Sequence, residues 1–478
     1  MERQVALRGR IVLLTLALSI LCAAGAFAVA ATAAAQSAAA PQPAPSPTWA
    51  AVTADPDGMA TATGAAVARG ASGALYVAAS GGATVGAPAH LILIKYDAAG
   101  VESWATPFAP ASATQTGAVD VAVDKAGAVY VLGWTKLVST GRDWLVVKFA
   151  DKGDTGEVVW QRRVHGSGAS SDAPKDLLVT ASGRVWACGS LGRSGHGLDG
   201  AVVRFAAGSG EIVARRFVDD PAHRGDVFNA LGVDKAGHLF AAGQYGQQTG
   251  GGKNGVMAAW TAAGDRLWVH TWGSKGRYDD PVNGLVVTAA GKAYAVGALG
   301  TPGGSSALIR QYNAAGRFIW QGTLTTETAG GTCSFIGAAP LTNGRIVAAG
   351  TFTSAKGNSN IVTVAFTAKG PSIWTRTYDT PHLKGTPSND VARAVATDAA
   401  GHVFVAASTP FSLDGGSQIA VLRYSASGAF GWSTPALWDD GAKDSRAAGL
   451  TLAPHTVIVT GRTLRGGATD VATVAFPY

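Results

Sequence analysis

One phrase, written again and again, constrains this chain more than any other feature. Residues 124–134 read DKAGAVYVLGW and residues 234–244 read DKAGHLFAAGQ. The glycine of that phrase recurs as Gly73, Gly127, Gly183, Gly237, Gly291, Gly344 and Gly401, and His455 holds the eighth place. The spacing is roughly 54 residues, a little longer than the roughly 40–50 residues of common propeller repeats.

Each unit carries four short apolar segments. In the second unit they are AVDVAV (118–123), AVYVLGW (128–134), DWLVVKF (143–149) and EVVWQRRV (157–164). They are rich in Val and aromatics, are parted by Gly and Asp turns, and lack helical spacing, so each reads as a strand. Glycine is abundant at 64 residues and methionine scarce at 3, which suits an all-β chain full of tight turns. The third segment ends in an aromatic in every unit: Tyr96, Phe149, Phe205, Trp260, Tyr312, Phe366, Tyr424 and Phe476. The residue before it is polar or small, an alternation that predicts a half-buried sheet. Six residues after the anchor stands Ala79, Gly133, Gly189, Gly243, Gly297, Gly350, Ala407 or Gly461. A strand position without a side chain predicts close approach of a neighbouring backbone, as where blades crowd together.

The fourth segment opens on Trp104, Trp160, Trp268, Trp320, Trp374 or Trp432, while the third unit has Val213 near that place. The eighth unit stops at Tyr478 before any fourth segment, yet Trp49 precedes the first unit at the matching distance. The N-terminal strand can therefore complete the last blade and hide the sheet edges that an open array would expose. The expected fold is an all-β β-propeller over 49–478, with eight four-stranded blades closed by the N-terminal strand. A seven-bladed ring is the alternative and would need one unit to be displaced.

The unit runs W-x-x-x-x-G, then an Asp-x-x-Gly turn, an apolar strand, and an aromatic followed by x-x-x-Gly-x-x-x-Trp. YDAAGVESW (96–104), YNAAGRFIW (312–320) and DKAGAVYVLG (124–133) carry this pattern. It resembles the bacterial SBBP β-propeller repeat and the related delta-60 repeat. The resemblance implies an exported or surface-associated protein and says little about chemistry. FADKGDTGEVVW (149–160) is also similar to the docking repeat of pyrroloquinoline-quinone dehydrogenases. Only that unit has the Thr-Gly form, and the chain lacks the adjacent Cys pair of those enzymes, so no quinone is expected.

Arg3, Arg8 and Arg10 precede an apolar run from Ile11 to Ala30, followed by small residues. This reads as a signal peptide over 1–35, cleaved after Ala35, with an uncleaved anchor as the alternative. Residues 36–48, rich in Pro and Ala, read as a spacer. Once the signal is cleaved, no stable membrane span is expected. Cys188 and Cys333 fall in different blades, three and six, too far apart for a bond. The net charge of +7 is spread without a Lys/Arg run, which argues against a nucleic-acid groove.

Eleven residues before the anchor stands Asp172, Asp226, Asp280, Asp390 or Asp444, just ahead of the innermost strand. Asp143, Asp199 and Asn254 mark the turn into the third strand. In an up-and-down blade these two loops open on one face, so together they could form an acidic rim. Clustered carboxylates bind hard cations, so calcium is the candidate ion and no other cofactor is expected. The same residue types also cap turns by accepting backbone N–H groups. The richest polar cluster is Arg277-Tyr278-Asp279-Asp280, and Asp219-Asp220 with His223 and Arg224 is a second. No nucleophile elbow, zinc spacing or phosphate loop is present. The expectation is a monomeric, non-enzymatic binding module for an extracytoplasmic protein or a cell-wall glycan. A propeller-type enzyme (lyase, glycosidase or quinone dehydrogenase) is the alternative.

Overall fold

The computed structural model describes residues 26–29, 43–84, 86–138, 141–167, 171–246, 252–274, 278–325, 330–380, 389–411, 416–432, 435–439, 441–442 and 444–478. The expected signal peptide and spacer lie mostly outside these residues, as does Arg277. Of that region, Ala26–Val29 pairs in parallel with Phe318–Leu324. No helix among the described residues is long and apolar enough to cross a membrane.

The strands form four-stranded antiparallel sheets in series, spanning 61–108, 113–164, 173–218, 227–272, 282–324, 332–378, 391–438 and 444–477. We number them one to eight in chain order. Each innermost strand packs against that of the next sheet, and that of sheet eight packs against that of sheet one. The architecture is a β-propeller. The last sheet takes its outer strand from Trp49–Thr53, which pairs antiparallel with Ala468–Pro477 from Trp49↔Ala475 to Thr53↔Val471.

The repeated phrase is a hairpin turn. Asp124 Oδ1 accepts the N–H of Ala126 and of Ala128, each at 2.9 Å, and Gly127 turns the chain at φ 86°. His455 does the glycine's work at φ 54° in sheet eight. The third-strand aromatics are buried in all eight units. The residues before them depart from the half-buried expectation: Ala259, Gln311, Ala365 and Ala475 are buried too, because sheets cover both faces of that strand.

The small position also has a different cause from the one expected. Every innermost strand has a bulge, as at Pro174/Asp176 and Val282/Gly284. The bulge presses that strand's carbonyl onto the glycine opposite. A Cβ on Gly189 would strike Ala173 O, and one on Gly297 would strike Pro281 O. The tightest crowding comes from the backbone of the sheet's own first strand, and at Gly189 a neighbouring sheet adds the Trp144 ring.

The Trp and Gly of the repeat join neighbouring sheets. Trp160 Nε1 donates to Ala207 O at 3.1 Å, and its ring lies over Gly210. Trp268, Trp320 and Trp374 repeat this over Gly316, Gly370 and Gly428. Trp49 covers Gly100 in the same way, so it acts as the tryptophan of sheet eight. In sheet three the register puts Ala214, not Val213, at the tryptophan place. There Arg216 lies over Gly264 instead and donates to its carbonyl at 2.6 Å.

Candidate functional site

The expected acidic rim is folded inward. Asp172, Asp226, Asp280 and Asp390 are buried, and their oxygens are taken by hydrogen bonds that tie adjacent sheets. Asp172 accepts the N–H of Gly192, from its own sheet, and of Gly166, beyond the outer strand of sheet two, both at 2.7 Å. Asp226 accepts from Gly246 at 2.6 Å and Asp220 at 2.9 Å. Asp280 accepts from Gly300 and Ser274, both at 2.8 Å, and Asp390 accepts from Thr380 N at 3.0 Å. Burial still pushes three of these carboxyls up: Asp172 and Asp280 are raised, and Asp226 goes to about 7 with help from Asp220 and Asp199.

Asp444 does not share this place. The distance from Ala447 to its partner Gly461 is one residue shorter than in the other sheets, so Ser445 falls in register with Asp172. Ser445 is buried and its hydroxyl meets Thr463 Oγ1 at 2.9 Å. Asp444 instead faces Arg446 Nε at 2.9 Å and Arg462 Nη2 at 3.4 Å.

Sequence reasoning did bring the two sets of acids together, though between sheets and not around an open mouth. The N–H of Asp172, Asp226 and Asp280 donates to Arg142 O, Leu198 O and Lys253 O, each at 2.7 Å. This sets Asp143 beside Asp172, Asp199 beside Asp226, and Asn254 beside Asp280. Asp143 and Asp199 are buried, with Arg163 Nη1 at 3.4 Å and Arg193 Nη1 at 2.6 Å. Tyr278 is half-buried against Gly300, and Asp279 Oδ1 accepts the N–H of Lys253 at 2.8 Å.

The junction of sheets three and four carries more than this shared pattern. Asp219, in the connecting loop, receives His196 Nδ1 at 2.6 Å and His223 Nδ1 at 3.1 Å. Burial opposes ionisation of Asp219, but the hydrogen bonds from His223 and His196 outweigh it and hold the carboxyl below its ordinary value. Asp199, deeper in, is raised by burial despite Arg193.

Two features of the inner wall were not found from sequence. Asp120 and Asp176 occupy equivalent places just past the bulges of sheets two and three. Asp120 accepts the N–H of Leu177 at 2.9 Å and Asp176 that of Leu231 at 2.6 Å, so the pair links three successive sheets. Burial raises both, and the charge of Asp176 raises Asp120 further.

The second feature is a group of arginines. Where the bulge residue of an innermost strand is long and polar, it can reach toward the next sheet. Asn229 donates to Val282 O at 2.8 Å and Asn283 to Phe335 O at 2.8 Å. In sheet seven that residue is Arg393, which is exposed and faces Arg446 and Arg462 of sheet eight. Loss of part of its hydration against sheet eight, then the charges of Arg446 and Arg462, pull Arg393 below the ordinary guanidinium value although the residue still reaches solvent. Aligning the units on the bulge would have shown Arg393 and Lys175 as the two cations among otherwise uncharged bulge residues.

No protein-family model matches the chain, and no curated protein sequence matches it. Solved structures do. The quinohemoprotein alcohol dehydrogenase of Comamonas testosteroni aligns over 90% of this chain and 76% of its own, with TM-score 0.52 and 14% identity. The periplasmic gluconolactonase PpgL of Pseudomonas aeruginosa aligns over 71% of this chain and 96% of its own, with TM-score 0.42 and 15% identity. The WD40 domain of SCAP from fission yeast aligns over 86% and 95%, with TM-score 0.43 and 10% identity. At such identities the likeness is one of fold alone.

Proposed function

We propose that this chain is an exported propeller of the SBBP type that binds an extracytoplasmic partner bearing anionic groups, such as an acidic cell-wall glycan. The carrying observation is that Arg393 of sheet seven lies near Arg446 and Arg462 of sheet eight, which share the carboxylate of Asp444. Crowded guanidinium groups repel one another, and a carboxylate or sulfate placed among them relieves that repulsion through charge-assisted, bidentate bonds. The repeated carboxylates are already used in holding the sheets together, which leaves recognition to what differs between units.

The test is binding of the full chain to a polyuronate and to a neutral dextran, followed by calorimetry at rising salt. The polyuronate is expected to bind, the dextran not, and binding to weaken with salt as exposed charges are screened. Arg393→Ala and Arg462→Ala are each expected to reduce affinity at least about tenfold, roughly 1.4 kcal/mol. Equal binding of both polymers, or no effect of either substitution, overturns the reading. Depolymerisation of the polyuronate would replace it with an enzymatic one.

A further inference from the structure

The cluster between sheets three and four has donors of a different kind from the rest of the ring. A ring nitrogen of His196, a ring nitrogen of His223 and a carboxylate oxygen of Asp219 all lie within 4.8 Å of one another. The two imidazole rings stand edge to face with centroids 4.2 Å apart. Asp199, Asp219 and Asp226 form a second group that meets the same limit and shares Asp219. The carboxylate of Asp219 thus lies between two imidazoles on its outer side and two buried acids on its inner side.

Hydrogen bonds from His196 and His223 and the Arg193 guanidinium at 3.7 Å satisfy Asp219, but they leave Asp199 unsatisfied. Asp199 is fully buried, and Arg193 takes its Oδ2 at 2.6 Å, but Oδ1 has no hydrogen-bond partner. A buried carboxylate oxygen without a donor is costly, and such an oxygen beside a set of metal-ligating atoms is explained by a cation. The donor set narrows the choice of ion. All-oxygen sites suit calcium and magnesium, whereas two imidazoles with a carboxylate suit a borderline divalent ion such as zinc. Both histidine side chains are partly exposed, at 35% and 41%, so an ion can reach them and keep open positions for water or a ligand.

The cluster of His90 with Asp55 and Asp57 meets the same distance limit, and Asp55 Oδ2 is also buried without a donor, but it offers one imidazole where the first cluster offers two. At His90, Asp55 faces Nε2 at 3.1 Å and Asp57 faces Nδ1 at 3.6 Å. With one imidazole and two carboxylates, that donor set is richer in oxygen and suits a zinc-class ion less well.

We propose that His196, Asp219 and His223 hold a divalent transition-metal ion of the zinc class, with Asp199 facing it from the buried side. The proposal stands apart from the arginine site of sheets seven and eight. It predicts that the full chain, stripped by chelator and dialysed, takes up one equivalent of Zn2+ in calorimetry. Co2+ in its place should show visible absorption bands that mark nitrogen ligation. His223→Ala and His196→Ala are each expected to weaken Zn2+ binding at least about 100-fold, beyond the roughly 10–100-fold loss from removing an outer-shell partner. His90→Ala is expected to leave it unchanged. Both targeted histidines are partly exposed, and a melting curve on each variant separates lost binding from lost fold. Absence of binding to the folded chain, retention by the His196→Ala/His223→Ala double variant, or equal loss with His90→Ala overturns the proposal. Lack of binding would mean that a proton, not a metal, lies between Asp199 and its neighbours.

Discussion

Glycine has two distinct roles in each repeat, and a single methyl group tells them apart. At the anchor, Gly183 has φ 78° with nothing near a would-be Cβ. Gly183→Ala therefore meets only backbone strain, about 1–2 kcal/mol. At the small position, a Cβ on Gly189 would collide with Ala173 O and lie 2.8 Å from Trp144 Cζ2. Gly189→Ala must move a buried strand, so a loss of about 3 kcal/mol or more is expected. Denaturant melts of the two variants should rank them in that order, and equal losses would mean the bulge yields easily. Both positions were legible as periodic glycines, but only the structure reveals that the second answers a bulge. The acids before the innermost strand were legible in the same way. Their inward direction was not, because a sequence period gives the place of a side chain and not the backbone groups waiting for it. Asp444 shows the limit most plainly: one residue fewer before Gly461 moves Ser445 into register and turns Asp444 outward.

Between sheets, cohesion rests on contacts that recur once per unit. Trp160 is nearly buried, covers Gly210 and donates to Ala207 O, while Arg162 Nε donates to Gly210 O at 2.9 Å. Trp160→Ala removes a large ring from the junction of sheets two and three, and a loss of about 3–5 kcal/mol is expected by chemical denaturation. The tryptophan itself was readable from sequence, whereas its partner glycine looked like an ordinary turn residue. The Asp120–Asp176 pair ties the same region in a pH-dependent way. Their folded pKa values are raised above the unfolded ones, Asp120 by burial and then by Asp176, and Asp176 by burial. The folded chain therefore binds more protons here than the unfolded chain. The resulting stability is fully present below the ordinary carboxylate range and is lost as pH rises through the folded values. Asp120→Asn imitates the protonated partner and should melt higher than the parent at neutral pH, with a flatter pH profile. A lower melting point at pH 7 than at pH 4 in the parent, with a smaller difference in the variant, is the expected signature.

The ring as a whole depends on one short segment that is far from its neighbours in sequence. Trp49–Thr53 pairs with the last strand, while Thr53 Oγ1 meets Tyr96 OH at 2.8 Å and Trp49 covers Gly100 of sheet one. The segment is thus the outer strand of one sheet and the clasp on the next. This much was readable, because an eighth unit short of a strand and an unclaimed tryptophan at the matching distance complement each other. The charge of the inner wall was not readable, since Arg393, Arg446 and Arg462 become neighbours only when sheets seven and eight pack side by side. A variant lacking residues 1–53 should leave Val471–Ala475 of the last strand as an open edge. Such an edge templates pairing with a second chain, so self-association is expected in size-exclusion chromatography together with a lower melting point. Trp49→Ala keeps the backbone pairing and loses only the clasp over Gly100, so it should remain monodisperse and melt between the truncated and the parent chains. If the truncated variant instead melted like the parent, the closing strand would be ornamental, and the neighbouring contacts of sheets one and eight would have to hold the ring by themselves.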